Sequence, residues 1–146
     1  MKPLLLILAL AFSVSGQDIN RCKETSTQAT VYFYRVDEKM ALAKRYTKLN
    51  IDDSKVLAMP EGSYVGFYLT PGQHTMVMGH RKETDQLFIA QAGATYYYQI
   101  SYTYKGDLKT LTAIPDESQA VYQMRKLKPL SSDNIKDKTI ARCDAL

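Results

Sequence analysis

The sequence predicts an all-β chain: an antiparallel β-sandwich of about seven to eight short strands, with at most one short C-terminal helix. Three observations carry that expectation. β-Branched and aromatic residues recur in strand-length runs such as Gln28–Val36 and Thr95–Lys105, where bulk at Cβ fits a pleated surface. Turn-forming residues separate the runs, at Asp52-Asp53, Pro60-Glu61-Gly62, Pro71-Gly72, Ala92-Gly93-Ala94 and Lys105-Gly106-Asp107. The run Thr95–Lys105 also alternates with period two, placing Tyr96, Tyr98, Ile100, Tyr102 and Tyr104 on one face.

The first residues read as a leader. Lys2 gives a minimal positive start, Leu4–Phe12 is an apolar run too short to cross a bilayer comfortably, and Val14-Ser15-Gly16 supplies small residues for cleavage before Gln17. The expected product is one domain over residues 17–146 with an ordered core at about 28–127, exported to the periplasm or secreted. Ile19-Asn20-Arg21 before Cys22 is unlike a lipid-attachment box, and no later stretch reads as a transmembrane span. The formal charge of +4, one unit of it from Lys2, favours solubility and names no partner.

Cys22 and Cys143 are the chain's two cysteines, and export favours a disulfide between them over free thiols or an intermolecular bond. Closing so long a loop is worth roughly 4 kcal/mol on the chain-entropy model.

Taken in order, Gln28–Val36 is the first strand. Apolar bulk on both faces (Val31 and Phe33 against Tyr32, Tyr34 and Val36) predicts a central position. Met40–Asn50 is ambiguous and reads as an irregular piece followed by a strand to Ile51. Val56–Met59 is a short strand or edge segment. Tyr64–Leu69 and Gln73–His80 are expected to pair as a hairpin around Thr70-Pro71-Gly72-Gln73, with Pro71 presetting φ and Gly72 accepting the positive φ of a type II turn. Gln86–Gln91 is a further strand, and Leu108–Ile114 returns against Thr95–Lys105. Asp116-Glu117-Ser118 can cap a short helix running to Met124 or Leu127, and the tail after Lys128 is polar.

Two constellations could carry chemistry. His74, Met76, Met78 and His80 share one face of a strand, and imidazole with thioether suits copper(I). Same-face neighbours on a flat strand stand about 7 Å apart and converge poorly on one ion, so packing is the stronger reading. Among eleven tyrosines and no tryptophan, Tyr96, Tyr98, Tyr102 and Tyr104 could form an aromatic binding face. The competing reading is cross-strand packing. The basic residues of the C-terminal part are broken by Asp133, Asp137 and Asp144 and lack interleaved aromatics, so no nucleic acid is expected as partner. No cofactor signature is present, and Gly62-Ser63-Tyr64 lacks a nucleophile-elbow frame.

The run Tyr64-Val65-Gly66, Leu69 and Pro71-Gly72-Gln73-His74-Thr75-Met76 resembles the core motif of the exported bacterial family known as domain of unknown function 2846. Ala29–Arg35 and Ala92-Gly93-Ala94-Thr95-Tyr96-Tyr97-Tyr98 resemble that family's first strand and its turn-and-strand. The Gly66 and Pro71-Gly72-x-His74 pattern is also similar to surface β-domains named for a Pro-Glu-Gly-Ala motif, from which Pro60-Glu61-Gly62-Ser63 departs in its last residue. The resemblance implies an envelope β-sandwich and transfers no catalytic residue. The expected function is a non-catalytic binding or structural module of the cell envelope, with a protein, peptide or glycan as partner. The alternatives are a copper-handling or redox accessory protein and, more remotely, a small hydrolase.

Overall fold

A computed structural model describes residues 19, 21–38, 46–79, 85–102 and 109–143, with Tyr102 and Lys109 described by their backbone alone. The expected leader at 1–16 lies outside these residues, as do the first part of the ambiguous Met40–Asn50 stretch and the expected turn at 105–107. The strands are β1 (Ala29–Arg35), β2 (Thr47–Ile51), β3 (Ser54–Met59), β4 (Ser63–Leu69), β5 (Gly72–Met78), β6 (Gln86–Ala90), β7 (Thr95–Tyr102), β8 (Lys109–Ala113) and β9 (Lys128–Pro129). One helix, α1 (Glu117–Met124), precedes β9.

The strands form two sheets, ordered β8-β7-β1-β4-β9 and β3-β2-β5-β6. β1 is buried along its whole length, as its two apolar faces predict, and occupies the centre of the first sheet. Most pairings are antiparallel, but β1 lies parallel to β7 and β4 parallel to β9. The main core fills the space between the sheets, with Val31, Phe33, Leu49, Leu57, Phe67, Met76 and Ile100 among its fully buried members. A second apolar cluster lies on the outer face of the first sheet. There Tyr32, Tyr34, Tyr64 and Tyr97 are covered by Ala120, Val121 and Met124 of α1 and by Ile19 of the lead-in. Tyr32 and Tyr97 stack at 5.3 Å between ring centroids. Asp116 caps α1 as expected, its carboxylate accepting from the Gln119 N–H at 3.2 Å.

The expected hairpin at Pro71-Gly72 does not form. β4 pairs with β1, Leu69 opposite Ala29, whereas β5 pairs with β2 and β6, Gly72 opposite Ala90. The corner instead passes the chain from one sheet to the other. The burial of the two strands explains this: β4 is covered on both faces, while β5 alternates between core and solvent, so they suit different sheets. Gly72 does take positive φ, +136°, where a side chain would be strained although space is open.

The polar tail is built into the fold. Ile135 bridges to Leu57, and the Lys136 N–H reaches the Val56 carbonyl at 2.7 Å, covering the β3 edge. Further on, the Tyr68 N–H donates to Ala141 and the Cys143 N–H to Gly66, covering β4 beyond β9.

Cys22 and Cys143 are disulfide-bonded, with Cα atoms 4.8 Å apart. The bond lies flat against β4 at Gly66. A Cβ there would sit 2.5 Å from the Cys22 sulfur, 2.9 Å from Tyr32 Cε1 and 3.1 Å from the Cys143 sulfur. Gly66→Ala will therefore lower stability by about 1–3 kcal/mol through overpacking. Much of that loss will vanish in a Cys22→Ala/Cys143→Ala background, which denaturant titration of the four proteins can measure. Equal losses in both backgrounds would refute the contact.

Candidate functional site

The His-Met constellation is a core face. Met76 and Met78 are buried between the sheets, and among the described residues no group of three or more His, Cys, Asp or Glu side chains is placed to hold a metal ion. His80 lies outside the described residues. His74 is also buried, and both its ring nitrogens face acceptors: Nδ1 meets Asp52 Oδ2 at 2.5 Å and Nε2 meets the Thr70 carbonyl at 2.8 Å. Between two acceptors both nitrogens are satisfied only when both donate, and in that protonated form the ring offers no lone pair to a metal.

Asp52 reaches this position because it and Asp53 take positive φ, +49° and +64°, in the tight turn joining β2 to β3. Its other carboxylate oxygen accepts from the Thr75 N–H at 2.9 Å. The motif thus ties the β2–β3 turn to the start of β5. Burial alone pulls the His74 pKa down, but hydrogen bonds to Thr70 and Asp52, and the Asp52 charge, outweigh it and raise the pKa above the ordinary 6.5. Burial likewise pushes Asp52 up, yet the bonds from His74 and Thr75 and the His74 charge bring it below 3.8.

The signs define a window. His74 contributes stability that is complete below pH 6.5 and lost as pH rises through its raised value. Asp52 contributes stability that is complete above pH 3.8 and lost as pH falls through its lowered value. The stability difference between native protein and His74→Gln will therefore be largest between pH 3.8 and 6.5 and shrink on both sides. Chemical denaturation at a series of pH values checks this. A difference that does not vary with pH would show His74 uncharged.

Tyr98 of the tyrosine face likewise points inward. Tyr98 is 7% exposed, packed at 5.8 Å on Phe33 and at 5.7 Å on Phe88. Burial, with Tyr96 adding to it, pushes its phenol up to about 12. Tyr96 is half-buried at the rim, edge-on to Phe88 at 4.7 Å. The side chains of Tyr102 and Tyr104 lie outside the described residues. Of the two readings of this face, packing and an aromatic platform, Tyr98 takes the first, as part of the core between the sheets.

Two shallow clefts flank α1. One of about 300 Å³ is lined by Thr95, Tyr97, Ile114, Pro115 and Glu117. The other, of about 390 Å³, lies among Arg21, Glu117, Val121, Tyr122 and Arg125. Arg21 donates to Glu117 at 3.2 Å, and the Lys126 ammonium stands 4.0 Å above the Tyr122 ring, so charged groups here are already matched within the chain.

Besides Tyr46 and Tyr122, the large apolar side chains exposed among the described residues are a pair on the outer face of the second sheet. Leu87 and Ile89 of β6 are 65% and 63% exposed, while Phe88 and Ala90 between and beyond them point into the core. Thr75 lies opposite Leu87 and Gln73 opposite Ile89, and half-buried Val77 continues the strip along β5. Sequence reasoning missed this pair because Leu87, Phe88, Ile89 and Ala90 are all apolar. Polarity alternation is the signal that separates a strand's faces, and here there is none.

Among the described residues no helix is long and apolar enough to cross a membrane. Comparison with curated proteins and with solved structures finds no match. A family model described as Protein of unknown function (DUF2846) matches residues 25–109, more than half of the chain, from before β1 to the start of β8. The chain therefore belongs to the DUF2846 family.

Proposed function

We propose that the protein is an exported, non-catalytic module of the cell envelope that acts by contact, through the outer face of its second sheet. The observation behind this reading is the pair Leu87 and Ile89, side by side on one strand and both largely exposed. The outer face of the first sheet is covered by the chain's own helix, whereas these two side chains have no such cover among the described residues. Large apolar side chains grouped on a surface favour association. They are aliphatic, which suits a protein partner better than a glycan, since sugars are commonly held by aromatic stacking and hydrogen bonds. The disulfide supports an oxidising compartment. The engagement of His74 and both cysteines in structural bonds supports a role without chemistry.

The test is capture from envelope extract with native chain and a Leu87→Ser/Ile89→Ser variant as parallel baits. Both positions are exposed, so the variant should keep the native unfolding transition. A protein retained by the native bait and lost from the folded variant supports the reading, and equal retention sinks it.

A further inference from the structure

We infer that the β4 edge at Gly66–Tyr68 is a strand-accepting site with an exchangeable occupant. The Cys143 tail of a second copy replaces the resident tail there, by thiol–disulfide exchange at Cys22. The inference goes beyond the β6 contact face and does not depend on it.

The chain itself shows what covers this edge. β9 pairs with β4 at Ser63 and Tyr64, and past it the tail takes over, Arg142 bridging to Phe67. The Tyr68 N–H donates to the Ala141 carbonyl at 2.9 Å, and the Cys143 N–H donates to the Gly66 carbonyl at 3.0 Å. Without the tail, a strand buried along nearly its whole length would present these two backbone groups as an open edge. Gly66 leaves room for the sulfur pair, since a Cβ there would stand 2.5 Å and 3.1 Å from the two sulfurs. An occupant therefore needs backbone groups placed as those of Ala141 and Cys143 are, an apolar residue where Ile140 packs on the core, and a thiol opposite Gly66. A second copy's tail meets all three conditions by identity.

The two ends of the bond are held differently. Ile19 of the lead-in is buried, Arg21 pairs with Glu117, the Cys22 N–H donates to the Tyr32 hydroxyl, and the Lys23 carbonyl accepts from the Tyr68 hydroxyl at 2.7 Å. From Lys136 to Arg142, by contrast, no residue is fully buried, and half-buried Ile140 is the apolar contact with the core. Opening the bond therefore frees the tail and leaves the lead-in in place. Cys22 is also the more accessible partner, half-buried where Cys143 is 1% exposed, so an incoming thiolate meets the Cys22 sulfur first.

The exchange balances without an oxidant or reductant. The Cys143 thiolate of a copy whose bond is open attacks Cys22 Sγ. A new sulfur–sulfur bond forms as the resident one breaks, and the displaced Cys143 leaves with the electron pair as a thiolate, ready to attack the next copy. One disulfide and one thiolate are present before and after. The step links copies and turns over no substrate. It asks for no new interface, because the transferred tail makes the contacts that the resident tail makes now, with the same charges at the site. Reach is sufficient: Lys136–Cys143 spans about 26 Å when extended, against about 10 Å between packed sheets. The resident tail competes at an effective concentration on the order of 1 mM, so exchange grows with protein concentration.

The test uses the native disulfide-bonded chain at about 1 mM, half of it labelled with heavy nitrogen, with a trace of dithiothreitol to open a few bonds. After an acid quench, trypsin releases Cys22-Lys23 bonded to Cys143–Leu146. At least roughly a tenth of this peptide should carry one light and one heavy half, falling at least tenfold when the protein is diluted to about 10 µM. Near-UV circular dichroism should stay native throughout. In the linked dimer, isolated by size exclusion, the Tyr68 amide should be as protected from hydrogen exchange as in the monomer. Peptides of a single label only would overturn the inference. So would Cys22–Cys22 and Cys143–Cys143 links between copies in random proportion, which mark unspecific coupling, or a linked dimer whose Tyr68 amide is unprotected. Leu87 and Ile89 are untouched, so the outcome bears on the β4 edge alone.

Discussion

A chain carrying Cys22→Ala and Cys143→Ala will lose about 4–5 kcal/mol of stability, the loop-closure entropy that the bridge removes from the unfolded chain. The two cysteines are separated by 121 positions, so the bond closes nearly all of the described chain into one loop. For a single domain worth about 5–15 kcal/mol in total, a loss of that size leaves a marginal fold. The bond also does local work. Its Cys22 end holds the lead-in, whose N–H donates to the Tyr32 hydroxyl at 2.7 Å, and its Cys143 end holds the segment hydrogen-bonded along β4. Without it the tail should fray before the sheets do. Hydrogen exchange will then show early loss of protection at the amides of Tyr68 and of position 143, and guanidinium titration will give the global change. A global loss below about 1 kcal/mol would mean that the unfolded chain is already compact enough to need no constraint.

The fold was legible wherever residue bulk reports the environment directly. Val31 and Phe33 on one face of β1 and Tyr32 and Tyr34 on the other announced a strand buried on both sides, and it is the central strand of its sheet. Asp116 announced a helix start and caps one. Pairing was less legible. Pro71-Gly72 signals a reversal, but the same local geometry serves a hairpin or a corner between sheets, and only the burial of the flanking strands separates the two. The parallel pairing of β1 with β7 joins strands distant in sequence and leaves no local mark.

Alternation along β7 located a face shared by Tyr96, Tyr98 and Ile100, yet period two cannot say which face is inward when the opposite one carries Tyr97, which is itself buried under α1. Asp52 read as an ordinary turn acid, because its hydrogen bond to His74 spans 22 positions. The exposed pair on β6 was hidden by neighbours as apolar as itself.

Phe33→Ala will cost about 3–5 kcal/mol, the range for deleting a buried aromatic ring. Phe33 is 0% exposed and stands where the first sheet meets the core, 6.4 Å from the Phe67 ring on β4 and 5.8 Å from the Tyr98 ring on β7. Its removal opens a cavity that three adjacent strands border, and their backbones are fixed by pairing, so collapse into the space is limited. Phe33→Leu, which keeps most of the volume, should cost clearly less. The ring's contact with Tyr98 makes a second expectation. Losses from Phe33→Ala and Tyr98→Ala should sum to more than the double variant loses, since the first deletion already strips Tyr98 of a packing partner. Tyr98→Phe keeps the ring and should change stability little, whereas Tyr98→Ser should destabilise strongly. Were Tyr98 instead an exposed binding residue, Tyr98→Ser would leave the unfolding midpoint where it was, and thermal denaturation of that one variant separates the two roles.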